Sequence, residues 1–453
     1  MRIFVNIWIL VFFLNGQAGF ASDIGYTIHP VLSESNAYLQ VDLKLKADSD
    51  GNTALIYFNE AWGEVNLYDC LESIQVLNTS ARLKIVPEQN KIYIKSEPSE
   101  LLHIQYVIKQ DFKGNPEKAH YFRPIVNASY FHLFGHRLFI IPEYLYTSEA
   151  VHEIDIDWED APTTVHHTFE SKLKGTYRVT RNELLESILV GGDFRRTTLA
   201  MNGIKLNVLT RGDWAHFEDE ELAEKLESIV QIQQNFWEDY SDSIYTVTLL
   251  PLYSSGSNYI GGTGLSRGFA SYCSNTDASR LENLTALYYH EIMHHWIGGK
   301  MRNKSLTEEL WFSEGFTEYF SHLLMVENNE MTEKDFRKLT KNIYKDLKKS
   351  AYSEVPNSEI GLQRLSQESA IEKVPYHRGF LYAMYLEKRF RKGFQGSVTL
   401  KSVLHKMLLE SDRQLFSNDY FKEVLGQYFS EDEIRQFENY IIDGQMIEKE
   451  LIF

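Results

Sequence analysis

Between about residue 23 and residue 168 apolar and polar side chains tend to alternate. Leu39, Val41, Leu43 and Leu45 are interleaved with Gln40, Asp42, Lys44 and Lys46, the period of a strand with one face in a core. Shorter runs follow at Ala54–Phe58, Lys91–Lys95, Leu102–Ile108, Leu138–Ile141 and Val151–Ile156. Turn-formers separate them: Asp48-Ser49-Asp50-Gly51, Glu88-Gln89-Asn90 and Lys113-Gly114-Asn115-Pro116. Several short strands with such punctuation predict a β-sandwich over residues 22–170. It contains no recognisable catalytic set, and His166-His167 reads as a surface pair.

The pattern then changes. Leu222, Leu226, Ile229 and Phe236-Trp237 recur at helical spacing between about Asp219 and Tyr240, behind an acidic first turn that suits the helix dipole. A strand-like Ile244–Leu250 follows, then a Gly/Ser-rich stretch from Ser254 to Gly268. Beyond about Leu281 the chain reads almost wholly helical, with solvated charged faces such as Lys341–Lys349. The expectation is a multidomain α+β protein: the β-sandwich, a mixed α/β domain over 171–330 and a helical region over 331–453.

The first residues have a different logic. Arg2 precedes an apolar run from Ile3 to Leu14, broken only by Asn6, and Gly19 and Ala21 place small residues before Ser22. The run is shorter than the ~20 residues a membrane span needs. Residues 1–21 therefore read as a cleaved signal peptide, the mature chain as exported to a periplasm or medium with no membrane span. Export would permit a Cys70–Cys273 disulfide, although no pattern pairs them.

Charge narrows the partners. With 46 basic against 63 acidic residues the chain carries −17, which argues against nucleic acid, whose phosphates are met by Lys and Arg. The only two cysteines cannot make a four-thiolate zinc site, so any metal must rest on His and carboxylates. Nothing in the sequence sets an oligomeric state.

One segment carries chemistry. Tyr289-His290-Glu291-Ile292-Met293-His294-His295-Trp296 contains His-Glu-x-x-His, and Leu281–Tyr289 before it has neither Pro nor Gly. On a helix His290 and His294 lie one turn apart on one face and can share a tetrahedral metal; Glu291 beside them can take a proton from a water activated there. Downstream, Trp311-Phe312-Ser313-Glu314-Gly315-Phe316 puts Glu314 twenty positions after His294. That leaves room for the first helix to end near Gly298-Gly299, turn through Lys300–Ser305 and return. Glu314 then supplies a third ligand, leaving a fourth zinc position open, the arrangement of a catalytic site. Glu318, one turn on, is either a partner for the free ring N–H of a ligand His or a solvated helix residue. His295 points about 100° away from His294 and reads as packed beside the site. His377 reads as surface.

These residues resemble the gluzincin metallopeptidases. Trp311-Phe312-Ser313-Glu314-Gly315-Phe316 is similar to the Trp-x-x-Glu-Gly signature of the aminopeptidase N-like and glycyl-aminopeptidase-like families. Val374-Pro375-Tyr376-His377-Arg378-Gly379-Phe380 resembles the Tyr-x-Lys-Gly element of the aminopeptidase N-like enzymes. The resemblance implies a thermolysin-like catalytic domain over 171–330, one Zn²⁺ per chain, peptide or protein substrates, and Tyr376 as the donor to the developing oxyanion. It also marks departures. Nineteen residues separate His294 from Glu314, where the aminopeptidase N-like family has 18. The Gly-x-Met-Glu-Asn strand, whose Glu holds the substrate's α-amine in that family, is replaced by Gly261-Gly262-Thr263-Gly264-Leu265. Gly261, Gly262 and Gly264 either let a backbone edge approach an extended peptide or form a plain loop. The expected function is thus an exported zinc metallopeptidase, with aminopeptidase activity as the form the family implies. The alternative is a non-catalytic exported peptide-binding protein on a peptidase scaffold.

Overall fold

The computed structural model describes residue 22 and residues 24–453, apart from 61–63, 162–163, 170–171, 254–257, 306 and 361–368. Residues 1–21, read above as a signal peptide, lie outside the described residues.

The alternating segments form the N-terminal sheets. Tyr38–Lys46 is a strand in which Leu39, Val41, Leu43 and Leu45 are fully buried. It pairs antiparallel with Ile24–Val31 on one side and Leu101–Ile108 on the other, within a six-stranded sheet. A four-stranded sheet containing Asn52–Ile56, Arg82–Val86 and Lys91–Lys95 shares a core with it. Three details differ from the sequence reading. Leu138–Ile141 is not a strand: a helical turn ends at Leu138 and pairing starts only at Ile141, because a run this apolar satisfies burial in either form. His166 and His167 are buried in the strand Val165–His167. And the sheets extend past residue 170, since Lys174–Val179 pairs with His152–Trp158 and Ile188–Gly192 with Tyr130–Phe134. Cys70 and Cys273 are both free, buried thiols.

The second half begins with a mixed five-stranded sheet in the order Arg195–Met201, Ile204–Thr210, Ile244–Leu252, Gly268–Ser274, Ile260–Leu265. Of the two readings left open for the glycines, the strand is the one observed: Ile260–Leu265 is the sheet's last strand, antiparallel to Gly268–Ser274. Helix Asp219–Trp237 and helix Leu281–Met293 pack on this sheet. One apolar core continues from Met201 to Ile452, so the helices beyond residue 330 belong to the same body as the site-bearing half. A smaller aromatic cluster, including Tyr130, Phe134 and Tyr272, joins this body to the N-terminal sheets. No helix among the described residues is long and apolar enough to cross a membrane.

Candidate active site

His290 and Glu291 sit in the last turn of helix Leu281–Met293, and His294 caps it in a right-handed helical conformation. The helix therefore stops before the expected Gly298-Gly299. The chain tightens through His295→Ile292 and Trp296→Met293 hydrogen bonds and reverses at Gly298, where φ is 92°. Two neighbours fix the helix by one carbonyl: the Tyr289 oxygen accepts from Gln233 Nε2 at 2.7 Å and from Ser321 Oγ at 2.9 Å.

Glu314 lies at the joint between the helical turn Leu310–Ser313 and helix Gly315–Glu327. Trp311, fully buried among Phe312, Phe316, Tyr382, Phe416 and Phe421, anchors that joint. Tyr376 comes from helix Ser369–Phe394, just after Pro375. This helix and helix Gly315–Glu327 approach so closely at Gly315 and Gly379 that a Cβ at position 379 would strike the Trp311 carbonyl. The crossing places the Tyr376 phenol near the Glu314 carboxylate and its ring 6.3 Å from that of His290.

The three candidate ligands converge. His290 Nε2 and His294 Nε2 are 3.1 Å apart, and Glu314 Oε2 is 3.4 Å from each. Zinc held by nitrogen and oxygen at ~2.0–2.1 Å requires neighbouring ligand atoms about 3.3 Å apart at the tetrahedral angle, so the spacing fits. The tautomers fit as well. His290 Nδ1 is 2.9 Å from Glu318 Oε2, and His294 Nδ1 is 3.2 Å from the Ile297 carbonyl. Each acceptor calls for the proton on Nδ1, which turns two bare Nε2 lone pairs towards each other, an arrangement that a cation between them relieves.

The electrostatics agree in direction. Burial opposes the charge of Glu314, yet His294 and His290 hold its carboxyl far below the usual range. Burial also pulls both imidazoles down, but Glu314, with Glu318 at His290, outweighs it and favours positive charge there, which zinc satisfies in a proton's place. Glu291 is raised, chiefly by burial. Burial and the neighbouring Glu314 push the Tyr376 phenol well up, so it stays a donor.

The last strand runs beside these groups. A Cβ at Gly262 would sit 3.5 Å from Glu291 Cγ, and one at Gly264 only 2.9 Å from His294 Cβ; at Gly261 it would collide with the Tyr259 phenol. Gly262 and Gly264, with His290, His294, Glu314 and Tyr376, line an open cleft of about 1240 Å³.

His295, read only as packed, has a specific partner: its Nε2 is 2.8 Å from Asp242 Oδ2. Lys300 contacts Asp242 at 2.8 Å and also Asp239, which in turn accepts from Trp296 Nε1 at 2.7 Å. Although Asp239, Asp242 and His295 could by spacing hold a metal, the Lys300 ammonium already supplies the cation there. The cluster braces the turn after His294 instead. Sequence reasoning missed it because its members lie more than fifty positions apart and no motif links them. His377 is half-buried and lines, with Asp346 and Lys373, a separate hollow rather than the cleft.

Residues 220–439 match the model of the peptidase family M1 domain. No curated protein matches. Among solved structures, the fold is similar to an aminopeptidase N family protein from Idiomarina loihiensis, with TM-score 0.77 and 17% identity over 94% of this chain and 77% of that one. It is also similar to an M1 zinc metallopeptidase from Deinococcus radiodurans, a mutant bound to a Tyr-Ser-Ala substrate, with TM-score 0.60 and 14% identity over 94% of each chain. Native yeast LTA4 hydrolase matches with TM-score 0.59 and 14% identity over 94% of this chain and 69% of that one. Residues 220–439, which hold the His-Glu-x-x-His helix, are thus similar to a peptidase family M1 domain, and this match together with the fold supports a zinc-dependent peptide hydrolase.

Proposed function

We propose that the protein is an exported metallopeptidase in which His290, His294 and Glu314 hold the zinc, Glu291 is the general base and Tyr376 the oxyanion donor. The observation that carries this reading is the convergence of two Nε2 lone pairs and one carboxylate oxygen at 3.1–3.4 Å, with Glu291 and Tyr376 opening on the same cleft. Bound zinc supplies Lewis acidity, lowering the pKa of water and polarising the scissile carbonyl.

The chain's own groups do the rest. Glu291, its pKa raised by burial, accepts a proton from the attacking water and delivers it to the leaving amine. Tyr376 donates its O–H to the carbonyl oxygen as charge builds there, a bond stronger in the transition state than in the substrate. Glu318 keeps His290 in the tautomer that presents Nε2. The free edge of Ile260–Leu265 offers backbone groups to an extended peptide, and Gly264 admits the strand against His294. The apolar run and small-residue exit of residues 1–21 support export.

Glu291→Gln tests the assignment against the non-catalytic alternative. Turnover of a mixed peptide library should vanish while one zinc per chain is retained by elemental analysis; normal turnover in that variant would sink the assignment of Glu291.

A further inference from the structure

His290 and His294 are held in unlike ways. The partner of His290 Nδ1 is Glu318, a side chain on another helix. That of His294 Nδ1 is the Ile297 carbonyl at 3.2 Å, with Thr317 Oγ1 farther off at 3.5 Å. Ile297 lies in the turn that follows the helix, which has already ended at Met293. The His294 ring is therefore only as well placed as residues 295–301.

That turn is closed within itself by backbone bonds, Lys300 N–H to the His295 carbonyl at 3.0 Å and Met301 N–H to the Trp296 carbonyl at 2.9 Å. Three of its side chains leave in one direction. His295, Trp296 and Lys300 all reach Asp239 and Asp242, in the loop between helix Asp219–Trp237 and strand Ile244–Leu252. Hydrogen bonds to a charged group are shorter and stronger than neutral ones, and these carboxylates are only 16% and 17% exposed.

Asp239 serves the turn and its own loop, where it also accepts from Ser241 Oγ at 2.7 Å. Asp242 reaches further. Its Oδ2 takes both His295 and Lys300 at 2.8 Å, while its Oδ1 faces Arg267 Nε at 3.9 Å. Arg267 is the second residue of the two-residue turn joining Ile260–Leu265 to Gly268–Ser274, and its φ of 56° is left-handed. Glycine takes that conformation without steric cost, so what arginine adds is its side chain. That side chain reaches Asp242 on one side and Glu183 on the other. Glu183, with Asn182 and Glu186, is the N-terminal half's contribution to the cleft wall.

Asp242 thus touches both the turn that orients a zinc-ligand candidate and the hairpin whose strand flanks the cleft. These two meet most closely at Gly264, where a Cβ would come within 2.9 Å of His294 Cβ, so a shift of either disturbs the other.

We propose that Asp242 is a positioning residue of the metal centre: through His295 and Lys300 it holds the His294 imidazole in its zinc-binding pose, and through Arg267 it keeps the strand Ile260–Leu265 in register with that imidazole. The inference rests on the ligand set proposed above. Asp242 acts through other residues, so its removal should loosen zinc and lower kcat more than it raises KM.

The test compares Asp242→Asn, nearly isosteric, with Asp111→Asn, which cuts a similarly buried pair with Arg123 in the N-terminal half. Zinc affinity is read by competition with a chromogenic chelator, and kcat and KM at saturating zinc on peptides that the wild type cuts. Asp242→Asn should bind zinc about tenfold more weakly and lose roughly tenfold in kcat, with KM within about threefold. Lys300→Gln, which removes one arm and spares the carboxylate, should weaken zinc in the same direction by less. Asp111→Asn should melt lower yet leave zinc affinity and kcat unchanged, because lost stability in a chain that stays folded does not alter how its ligands meet the metal. Zinc affinity within about twofold of wild type in both Asp242→Asn and Lys300→Gln would overturn the proposal. Equal weakening in Asp111→Asn would do the same, as would failure of both cluster variants to fold where Asp111→Asn folds. Unchanged zinc affinity in Glu314→Ala would instead overturn the ligand set itself.

Discussion

Tyr376 is one of 27 tyrosines, and its environment separates it from those that only fill the core. Tyr288 and Tyr382 are fully buried with hydroxyls that find no partner, whereas Tyr376 is half-buried, reaches Glu314 and opens on the cleft. Tyr376→Phe removes one hydroxyl from a site whose zinc ligands stay in place. It should lower kcat on the order of 10²–10³-fold, the cost of a single oxyanion donor, with zinc content unchanged; a loss under threefold in steady-state kinetics would refute the role. Glu186 makes the complementary case. Burial lifts its carboxyl to about 7 against the opposing pull of Arg302 and Arg181. A carboxyl raised on folding costs stability as pH climbs from its unfolded value to its folded one, here from about 4.5 to about 7, and the cost is constant above. Glu186→Gln should therefore stabilise the protein by on the order of 1–2 kcal/mol at pH 8, after discount for partial exposure, and hardly at all at pH 4.5. Equal melting shifts at both pH values would contradict the assigned environment. His290, Glu291 and His294 were legible in the sequence because helix period fixes what faces what over one turn, and Glu314 because its spacing left room for the chain to turn and return to them. Glu186 was not, since the burial that raises its carboxyl comes from tertiary packing that no local pattern shows.

At the scale of elements, the site is set by how closely helices approach. Gly315 and Gly379 meet where helix Gly315–Glu327 crosses helix Ser369–Phe394, and Glu314 and Tyr376 lie one and three residues from that contact. A methyl group at Gly379 has no room, because the Trp311 carbonyl and Gly315 Cα stand in its way. Gly379→Ala should cost about 1–3 kcal/mol by overpacking. It should also push Tyr376 away from Glu314, and a displacement of about 1 Å can cost 10²-fold in kcat. Gly393→Ala on the same helix is the control: a Cβ there meets nothing within 4 Å, so activity should hold. Loss of stability with unchanged kcat in Gly379→Ala would separate packing from positioning and reject the second claim. The sequence showed both glycines inside motifs but could not show that they touch, because 64 positions separate them and the contact is between backbones. Local patterns likewise found Tyr38–Lys46 and Asp219–Trp237, whereas Leu138–Ile141, apolar throughout, carried no period to decide its form.

The whole molecule makes the metal a cross-link. His290 and His294 belong to the helix that packs on the five-stranded sheet, while Glu314 opens the helix that the C-terminal bundle covers. Zinc held by the proposed ligands would therefore tie sheet and bundle at the point where the shared core opens into the cleft. An unfolded chain cannot bring together ligands from both, so zinc binds the folded state and stabilises it by mass action, about 4 kcal/mol at a thousandfold excess over its dissociation constant. For a body of this size that corresponds to a melting shift of about 8–16 °C between zinc-loaded and chelated enzyme. The N-terminal sheets hold a separate core and meet the second body through the Tyr130–Tyr272 cluster, so they should be spared. Chelation should accordingly split a single calorimetric transition into two, the zinc-dependent one moving down and the other staying fixed. Glu314→Ala should reproduce that split without chelator, because the remaining imidazoles lie on one helix and cannot fasten it to the bundle. If both transitions moved together on zinc removal, the apolar cluster and the Arg302–Glu149 and Arg267–Glu183 pairs would have to couple the two halves tightly, and the picture of zinc as a local tie would fail.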